Sequence, residues 1–135
     1  MVGLVLAEGQ ARRILVADDD PVIVRLLQVN FRLEGYEVDT AAHGEEALKK
    51  ARETNPDLIL LDVMMPGLDG WEVCRQLKED PSTSEIPVLF LSARAQEEDR
   101  RKGHSLGVVD YVTKPFDPGE LVTLIDNILA RTRQA

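Results

Sequence analysis

Carboxylate, hydroxyl and ammonium side chains follow four apolar runs in this sequence, at the point where each run stops. Three consecutive aspartates, Asp18 to Asp20, follow the run at 14–17. Asp62, Ser92 and Lys114 directly follow three later runs. Neighbouring like charges repel by about 1 kcal/mol in water and by several times that at a partly desolvated site. We therefore expect a cation to bind beside the aspartates.

The ligand atoms in this set narrow the choice of cation. The set contains carboxylates, one hydroxyl and one ammonium, but no histidine or cysteine. Hard oxygen ligands of this kind favour Mg²⁺ or Mn²⁺ over zinc. Asp20 has a different predicted role, because an aspartate before Pro21 is typical of a helix cap, and Asp117 before Pro118 is predicted to cap a later helix in the same way. Taken singly, each side chain is typical of an ordinary turn or surface position, so the hypothesis depends on strands that bring them together.

An alternation of apolar runs and helical patterns predicts the scaffold for this site. The runs at 14–17, 58–61 and 88–91 are continuous, which is typical of strands covered on both faces. The more mixed segments 36–40 and 108–113 are predicted as two further strands. Apolar residues at helical spacing predict four buried helix stripes: Ile23, Leu26, Leu27 and Phe31; Ala47, Leu48 and Ala51; Val73, Cys74 and Leu77; and Leu121, Leu124, Ile125, Ile128 and Leu129. This pattern predicts an α/β fold with a parallel sheet, whose sites form beyond the carboxyl ends of the strands.

The segment from Ala95 to Ser105 differs from the other helical segments, because only its first residue is apolar. It places Glu97 with Arg101 and Glu98 with Lys102 at i,i+4 spacing, and each pair stabilises a helix by about 0.2–0.5 kcal/mol. We expect a solvated surface helix that is weakly anchored to the sheet. Such an element can be moved at low free-energy cost.

Composition limits the class of protein. A chain of 135 residues with 44% hydrophobic residues fits one globular domain. The formal net charge of −8 disfavours nucleic acid as a partner. The single cysteine, Cys74, excludes an internal disulfide, is expected in the core and fits a reducing cytoplasm. The apolar stretch at 2–7 is too short for a signal peptide or a membrane span. Residues 1–12 are predicted to be an N-terminal extension: a disordered segment, an added edge strand or a remnant of cloning.

Four sequence blocks carry a resemblance to a known family. "ILVADDDP", "PDLILLDVMMPGLDG", "IPVLFLSA" and "DYVTKPF" resemble the signature blocks of the receiver domain of bacterial two-component response regulators, in the same order. The resemblance covers residues 13–131, which leaves 132–135 as a tail or the start of a linker. It implies a flavodoxin-like, doubly wound sheet of five parallel strands in the order 2-1-3-4-5, with five helices.

The resemblance also implies a phosphoryl-acceptor site that requires a metal ion. Asp62 would accept a phosphoryl group from the phosphohistidine of a histidine kinase. Asp19, Asp62 and the backbone carbonyl of Met64 would hold Mg²⁺ or Mn²⁺, and Asp18 would act through a bound water molecule. The cation would offset the negative charge that phosphorylation adds.

Further roles follow from the same resemblance. Lys114 would pair with one phosphoryl oxygen and Ser92 would donate a hydrogen bond to another. The resemblance implies a switch in which Ser92 moves toward the phosphoryl group and Tyr111 rotates inward. That movement would change the surface of the fourth helix, fifth strand and fifth helix. The Lys114–Pro115 peptide bond resembles the family's cis peptide.

The resemblance implies a signalling switch rather than an enzyme. Such a switch catalyses only its own Mg²⁺-dependent phosphorylation and dephosphorylation. The implied partners are a sensor histidine kinase or phosphotransfer protein and a downstream effector or fused output domain, in the cytoplasm. No direct contact with nucleic acid or a membrane is expected. Val109 lies where an acid is common in the family, which disfavours a dimer bridged by salt links there. Because the chain stops soon after its last helix, we expect a single-domain regulator or a receiver cut from a longer protein.

Four other functions are alternatives. A phosphatase of the haloacid dehalogenase type needs a second aspartate two residues after Asp62, and Met64 occupies that position. A flavin-binding protein of the same fold needs a hydroxyl-rich loop after the first strand, where this chain has acids that would repel a phosphate. An EF-hand loop would need an oxygen ligand at the position of Val22. An interaction module without phosphorylation is disfavoured because the full set of site residues is present: Asp18, Asp19, Asp62, Ser92 and Lys114.

Overall fold

The computed structural model describes residues 12–134 of the chain, with side chains through Arg131. The predicted extension at 1–12 lies, except for Arg12, outside the described residues. Five strands and five helices alternate along the described part: β1 (Arg13–Ala17), α1 (Pro21–Leu33), β2 (Glu37–Ala41), α2 (Gly44–Thr54), β3 (Leu58–Leu61), α3 (Gly70–Glu79), β4 (Val88–Ser92), α4 (Glu97–Ser105), β5 (Asp110–Thr113) and α5 (Pro118–Gln134). The strands form one parallel sheet in the order β2-β1-β3-β4-β5, which confirms the predicted fold.

The central strands are continuous apolar runs because both faces of the sheet are covered. In β1, Leu15 and Ala17 pack into a core with α2 and α3, whereas Ile14 and Val16 pack into a second core with α1 and α5. Successive side chains of a strand point to opposite faces, so each run must be apolar at every position. β3 and β4 are likewise buried along their whole length.

Predicted caps begin two of the helices. Asp20 accepts a hydrogen bond from the Val22 N–H at 2.9 Å and caps α1. Asp117 accepts from the N–H groups of Gly119 and Glu120 at the start of α5. Both interactions satisfy backbone donors that have no partner inside the helix, and both match the sequence-based prediction. The helix boundaries nearest the candidate site therefore follow from local sequence.

Leu26 is a correction to the predicted buried stripe of α1. Its side chain is 38% exposed, whereas Leu27 and Phe31 are buried. Adjacent residues on a helix point about 100° apart, so a helix that packs through Leu27 and Phe31 turns Leu26 away from the sheet. Leu26 instead belongs to an exposed apolar row, the α1 stripe, which consists of Val22, Leu26, Val29 and Leu33.

The helix α4 has little apolar contact with the sheet, as its sequence predicts. Asp99 and Gly103 are its buried residues. A Cβ atom at Gly103 would lie 3.0 Å from Tyr111 Cδ2 and 3.2 Å from Phe90 Cδ2, so glycine allows the helix to approach these rings closely. The position of α4 thus depends on the absence of a side chain and on polar contacts.

The charged face of α4 agrees only in part with the predicted ion pairs. Arg101 lies 3.8 Å from Glu97 in the predicted i,i+4 arrangement. The ammonium of Lys102, expected near Glu98, lies 4.6 Å from the centre of the Trp71 ring. A cation over an aromatic face is attracted by the ring quadrupole, so Lys102 connects α4 to α3.

Candidate functional site

Backbone hydrogen bonds bring the strand-end residues side by side. The Asp62 N–H donates to the Ala17 carbonyl at 2.9 Å, which places Asp62 next to Asp18 across β1 and β3. The Lys114 N–H donates to the Ser92 carbonyl at 2.9 Å, which places these two residues together across β4 and β5. The parallel register therefore assembles the predicted set at one edge of the sheet.

Three carboxylates and one ammonium form the centre of the site. Asp18, Asp19 and Asp62 each offer an oxygen within 4.8 Å of the others. Asp18 and Asp62 are buried, while Asp19 is exposed to solvent. Lys114 Nζ lies 2.7 Å from Asp18 Oδ2 and 3.0 Å from Asp62 Oδ2. One positive charge faces three negative charges, so the site retains an excess of negative charge.

Burial and charge shift the pKa values of two of these groups. Burial raises the pKa of Asp18, and the charge of Asp62 raises it further, against the opposing attraction of Lys114 and the hydrogen bond from the Asp20 N–H. Burial of the Lys114 ammonium acts to lower its pKa, but the attraction of Asp18 and Asp62 outweighs burial and raises the pKa. Lys114 is therefore a permanent cation at neutral pH.

The hydrogen bonds of the acids leave one oxygen without a donor. Asp18 Oδ1 accepts from the Asp20 N–H at 2.9 Å, and Asp62 Oδ1 accepts from the Met64 N–H at 3.1 Å. Asp18 Oδ2 is buried and accepts no aligned hydrogen bond within the described residues, although it is in ionic contact with Lys114. A buried oxygen of this kind, beside two further carboxylates, fits a hard divalent cation.

Gly70 is a residue of the site that sequence reasoning missed. It begins α3, and its N–H donates to the Val63 carbonyl at 2.8 Å. A Cβ atom at this position would lie 2.3 Å from the Asp62 carbonyl oxygen. Glycine is therefore required where α3 passes the backbone that carries Asp62. The Asp69–Gly70 pair could have signalled a capped helix start, but not this close approach.

Ser92 and Tyr111 lie beside the acidic centre and share one contact, Arg94. Ser92 is fully buried, and its Oγ accepts a hydrogen bond from the Arg94 N–H at 3.2 Å. Tyr111 is also buried, against the rings of Trp71 and Phe90, and its hydroxyl donates to the Arg94 carbonyl at 2.8 Å. Tyr111 is thus buried in this structure, and the inward rotation that the resemblance implies for it stays a prediction.

Two further predicted features lie next to this centre. The Lys114–Pro115 peptide bond is cis. Met64 directs its backbone N–H to Asp62, and its side chain is exposed. The cis bond directly follows Lys114, and Met64 lies two residues after Asp62, so both features are adjacent to residues of the site.

Comparison with known sequences agrees with this arrangement. The profile of the response regulator receiver domain family matches residues 14–126. The chain belongs to that family. A transcriptional regulatory protein for alkaline phosphatase synthesis, PhoP of Bacillus subtilis, is 50% identical over 92% of this chain and 51% of its own length. The master transcriptional regulator RpaA of Synechocystis is 43% identical over 89% of this chain and 50% of its own length. This receiver domain chain therefore spans about half the length of these curated relatives.

Solved structures show the same fold. A CheY-like response regulator receiver domain protein from Methanospirillum hungatei has a TM-score of 0.87 at 26% identity, over 93% of this chain and 98% of its own. The receiver domain of Francisella response regulator 1452 has a TM-score of 0.84 at 36% identity over 90% of this chain and 98% of its own. Between residues 12 and 134, no helix is long and apolar enough to cross a membrane. The sequence and structure comparisons agree that this chain is a receiver domain of the two-component type.

Proposed function

We propose that Asp62 is the phosphoryl acceptor of this receiver domain and that a histidine kinase or a phosphotransfer protein is the donor. The observation that carries the proposal is the position of Asp62, which is buried beside two other carboxylates and within 3.0 Å of the Lys114 ammonium. A carboxylate held next to a fixed cation can accept a phosphoryl group, because the cation stabilises charge that develops during transfer.

The acidic centre is proposed to hold Mg²⁺, with Mn²⁺ as a substitute. Asp19, Asp62 and the backbone carbonyl of Met64 would be direct ligands, and Asp18 would act through a bound water molecule. When bound, the divalent cation neutralises the excess negative charge of the site and of the phosphoryl group. The excess of carboxylates over the one ammonium, and the hard oxygen ligands that they offer, support this assignment.

The proposed reaction is a phosphoryl transfer in which the donor's phosphorus–nitrogen bond breaks. An Asp62 oxygen forms the new phosphorus–oxygen bond, and the imidazole of the donor leaves with the electron pair. Lys114 holds one phosphoryl oxygen by its ammonium, and Ser92 donates its hydroxyl hydrogen to another. Attack by water on phosphorus later restores the Asp62 carboxylate and releases inorganic phosphate. The domain thus catalyses only its own phosphorylation and dephosphorylation.

The proposed output is a change on the surface of α4, β5 and α5. Ser92 would move toward the phosphoryl group, and the contacts of Tyr111 with the β4–α4 connection would change with it. A downstream effector or a fused output domain would bind this surface. A location in the cytoplasm remains our expectation, and it is supported by a free cysteine, Cys74, that is buried in the core.

The α1 stripe is the proposed docking surface for the donor. Val22, Leu26, Val29 and Leu33 follow a 4-3-4 spacing, which matches the seam along which two helices pack. The stripe begins at Val22, four residues after Asp18, so this end of it lies near the acidic centre. Replacement of Val29 by glutamate should reduce transfer from a phosphorylated histidine kinase while leaving transfer from a small phosphodonor unchanged. Equal losses with both donors would contradict the docking role.

Labelling with a small phosphodonor tests the acceptor itself. The wild-type chain incubated with Mg²⁺ and acetyl phosphate should form an acid-stable, base-labile phosphoprotein. The Asp62→Asn variant should form none, and removal of Mg²⁺ with EDTA should prevent labelling of the wild type. An unlabelled wild type, or equal labelling of Asp62→Asn, would refute the assignment. Asp19→Ala should weaken Mg²⁺ binding, and an unchanged affinity would exclude Asp19 as a ligand.

A further inference from the structure

Arg94, in the connection between β4 and α4, contacts three parts of the proposed switch. Its backbone N–H donates to Ser92 Oγ at 3.2 Å, and its backbone carbonyl accepts from the Tyr111 hydroxyl at 2.8 Å. Its guanidinium Nε donates to Asp99 Oδ1 at 3.0 Å. One residue therefore connects the end of β4, the ring on β5 and the first turn of α4.

Asp99, the partner of Arg94 on α4, is a buried carboxylate and therefore needs a cation beside it. Its side chain is 7% exposed, and its second oxygen accepts from the Gln96 N–H at 3.2 Å. Loss of the Arg94 guanidinium would leave a buried carboxylate without its cation, which is strongly unfavourable. Because α4 lacks an apolar face, its N-terminal end is held by polar contacts: this ion pair to the β4–α4 connection, and the Arg100 guanidinium, which donates to the Tyr111 carbonyl at 3.1 Å and to Thr113 Oγ1 at 2.6 Å.

The contact with Ser92 directs the serine hydroxyl. A hydroxyl has one hydrogen to donate and two lone pairs that accept. One lone pair of Ser92 Oγ accepts from the Arg94 N–H, and the Ser92 side chain is also within hydrogen-bonding reach of the Tyr111 hydroxyl, so turning the serine hydrogen to a new acceptor changes its contact with Tyr111. If that acceptor is a phosphoryl oxygen on Asp62, a displaced Ser92 must either lose its bond to Arg94 or move the Arg94 backbone with it.

We propose that Arg94 is a positioning residue that transmits the displacement of Ser92 to α4 through its ion pair with Asp99. The proposal rests on the phosphorylation of Asp62 proposed above. The Arg94–Asp99 pair keeps the first turn of α4 attached to the β4–α4 connection, so the two move together. Breaking the pair leaves the phosphoryl chemistry in place and removes this connection between Ser92 and α4, while Arg100 still joins the helix to β5.

Trp71 offers a reporter for the position of α4. It is the only tryptophan in the chain, and the ammonium of Lys102 on α4 lies 4.6 Å from the centre of its ring. The ring of Tyr111 is a further neighbour, with the ring centres 6.5 Å apart. Movement of α4 relative to α3 changes the charge next to the indole and hence its fluorescence.

The experiment compares Asp62 labelling with Trp71 fluorescence in the full chain, using Mg²⁺ and acetyl phosphate. Arg94→Ala and Asp99→Asn should be labelled within about threefold of the wild-type rate. They should lose at least about half of the fluorescence change that accompanies labelling. Arg94→Lys keeps a cation near the carboxylate and should restore most of the change. Arg101→Ala removes an exposed cation from the same helix and should leave both measurements unchanged.

Each outcome decides the proposal. A labelled Arg94→Ala variant with the full fluorescence change refutes the role of Arg94 and leaves the acceptor role of Asp62 intact. An unlabelled wild type refutes both. A labelled wild type with neither a Trp71 change nor altered amide exchange in α4 also refutes the coupling. If circular dichroism shows that Arg94→Ala is unfolded, the comparison of Arg94→Lys with Asp99→Asn decides, since only Asp99→Asn should lose the response.

Discussion

Replacement of Asp18 by asparagine should stabilise the protein when no divalent cation is present. The Asp18 side chain is 2% exposed and lies within 4.8 Å of carboxylate oxygens of Asp19 and Asp62. Burial is the main cause of its raised pKa, which means that the folded state disfavours its ionised form. Asparagine has the same shape and can still accept the Asp20 N–H, but it carries no charge.

The expected size of the effect follows from the distances in the site. At an effective dielectric constant of 20, two like charges 4.8 Å apart repel by about 3.5 kcal/mol, so Asp18 loses about 7 kcal/mol to its two acidic neighbours. The contact with Lys114 at 2.7 Å returns about 6 kcal/mol. The repulsion and the attraction nearly cancel. The desolvation of the buried Asp18 carboxylate adds a further cost of several kcal/mol to the folded wild type. We expect Asp18→Asn to gain at least about 1 kcal/mol, or a Tm higher by at least about 3 °C.

Thermal unfolding in EDTA at pH 7, followed by circular dichroism, measures this gain. Asp20→Asn is the matched control, because Asp20 is exposed and asparagine caps a helix equally well, so its Tm should not change. The penalty of Asp18 is present above its raised folded pKa and absent below the unfolded value of 3.8, so the gap to wild type should narrow in acid. Mg²⁺ should also narrow the Tm difference, because it should stabilise the wild type more than Asp18→Asn. A Tm of Asp18→Asn below that of the wild type in EDTA would refute the reasoning.

Two further predictions concern the core and the backbone of the site. Burial raises the pKa of the Cys74 thiol to about 11, so its thiolate fraction at pH 8 is about 100-fold below that of an exposed cysteine. The native chain should react with a thiol reagent only as fast as it unfolds, and reaction at the rate of a short peptide would contradict this. Gly70→Ala should lower the free energy of unfolding by about 3 kcal/mol, since its Cβ would meet the Asp62 carbonyl oxygen at 2.3 Å. The measurement is urea denaturation, and the control is Gly119→Ala, whose Cβ would meet the Asp117 carboxylate at 3.3 Å. Equal denaturation midpoints for Gly70→Ala and Gly119→Ala would show that Gly70 is not required.

The sheet was predictable because its central strands are buried on both faces. Continuous apolar runs at 14–17, 58–61 and 88–91 correspond to β1, β3 and β4 within one residue at each end. Once these strands are parallel, the residues that follow them must lie at one edge. The candidate site could therefore be assembled from strand ends alone, before any side-chain contact was known. The strand order itself came from the family resemblance rather than from periodicity.

Other features depend on contacts that local patterns do not encode. Leu26 has the same apolar character as Leu27, yet only the packing angle of α1 turns one outward and the other inward. Gly103 looks like a weak point in a charged helix, but the space it leaves is filled by the ring of Tyr111. Neither outcome follows from helical spacing, because both depend on how a helix is rotated and how closely it approaches the sheet.

Local sequence thus accounts for the strands, the helix caps and the kinds of ligand that gather at the edge of the sheet, since these depend on burial and on bonds between near neighbours. The tertiary structure decides which charges meet. Lys114 is separated from Asp62 by 52 positions along the chain and still lies 3.0 Å from it. Arg94 reaches Tyr111, which follows it by 17 positions, only because β5 packs beside the β4–α4 connection. Such contacts arise from the packing of whole elements, and side-chain type alone does not specify them.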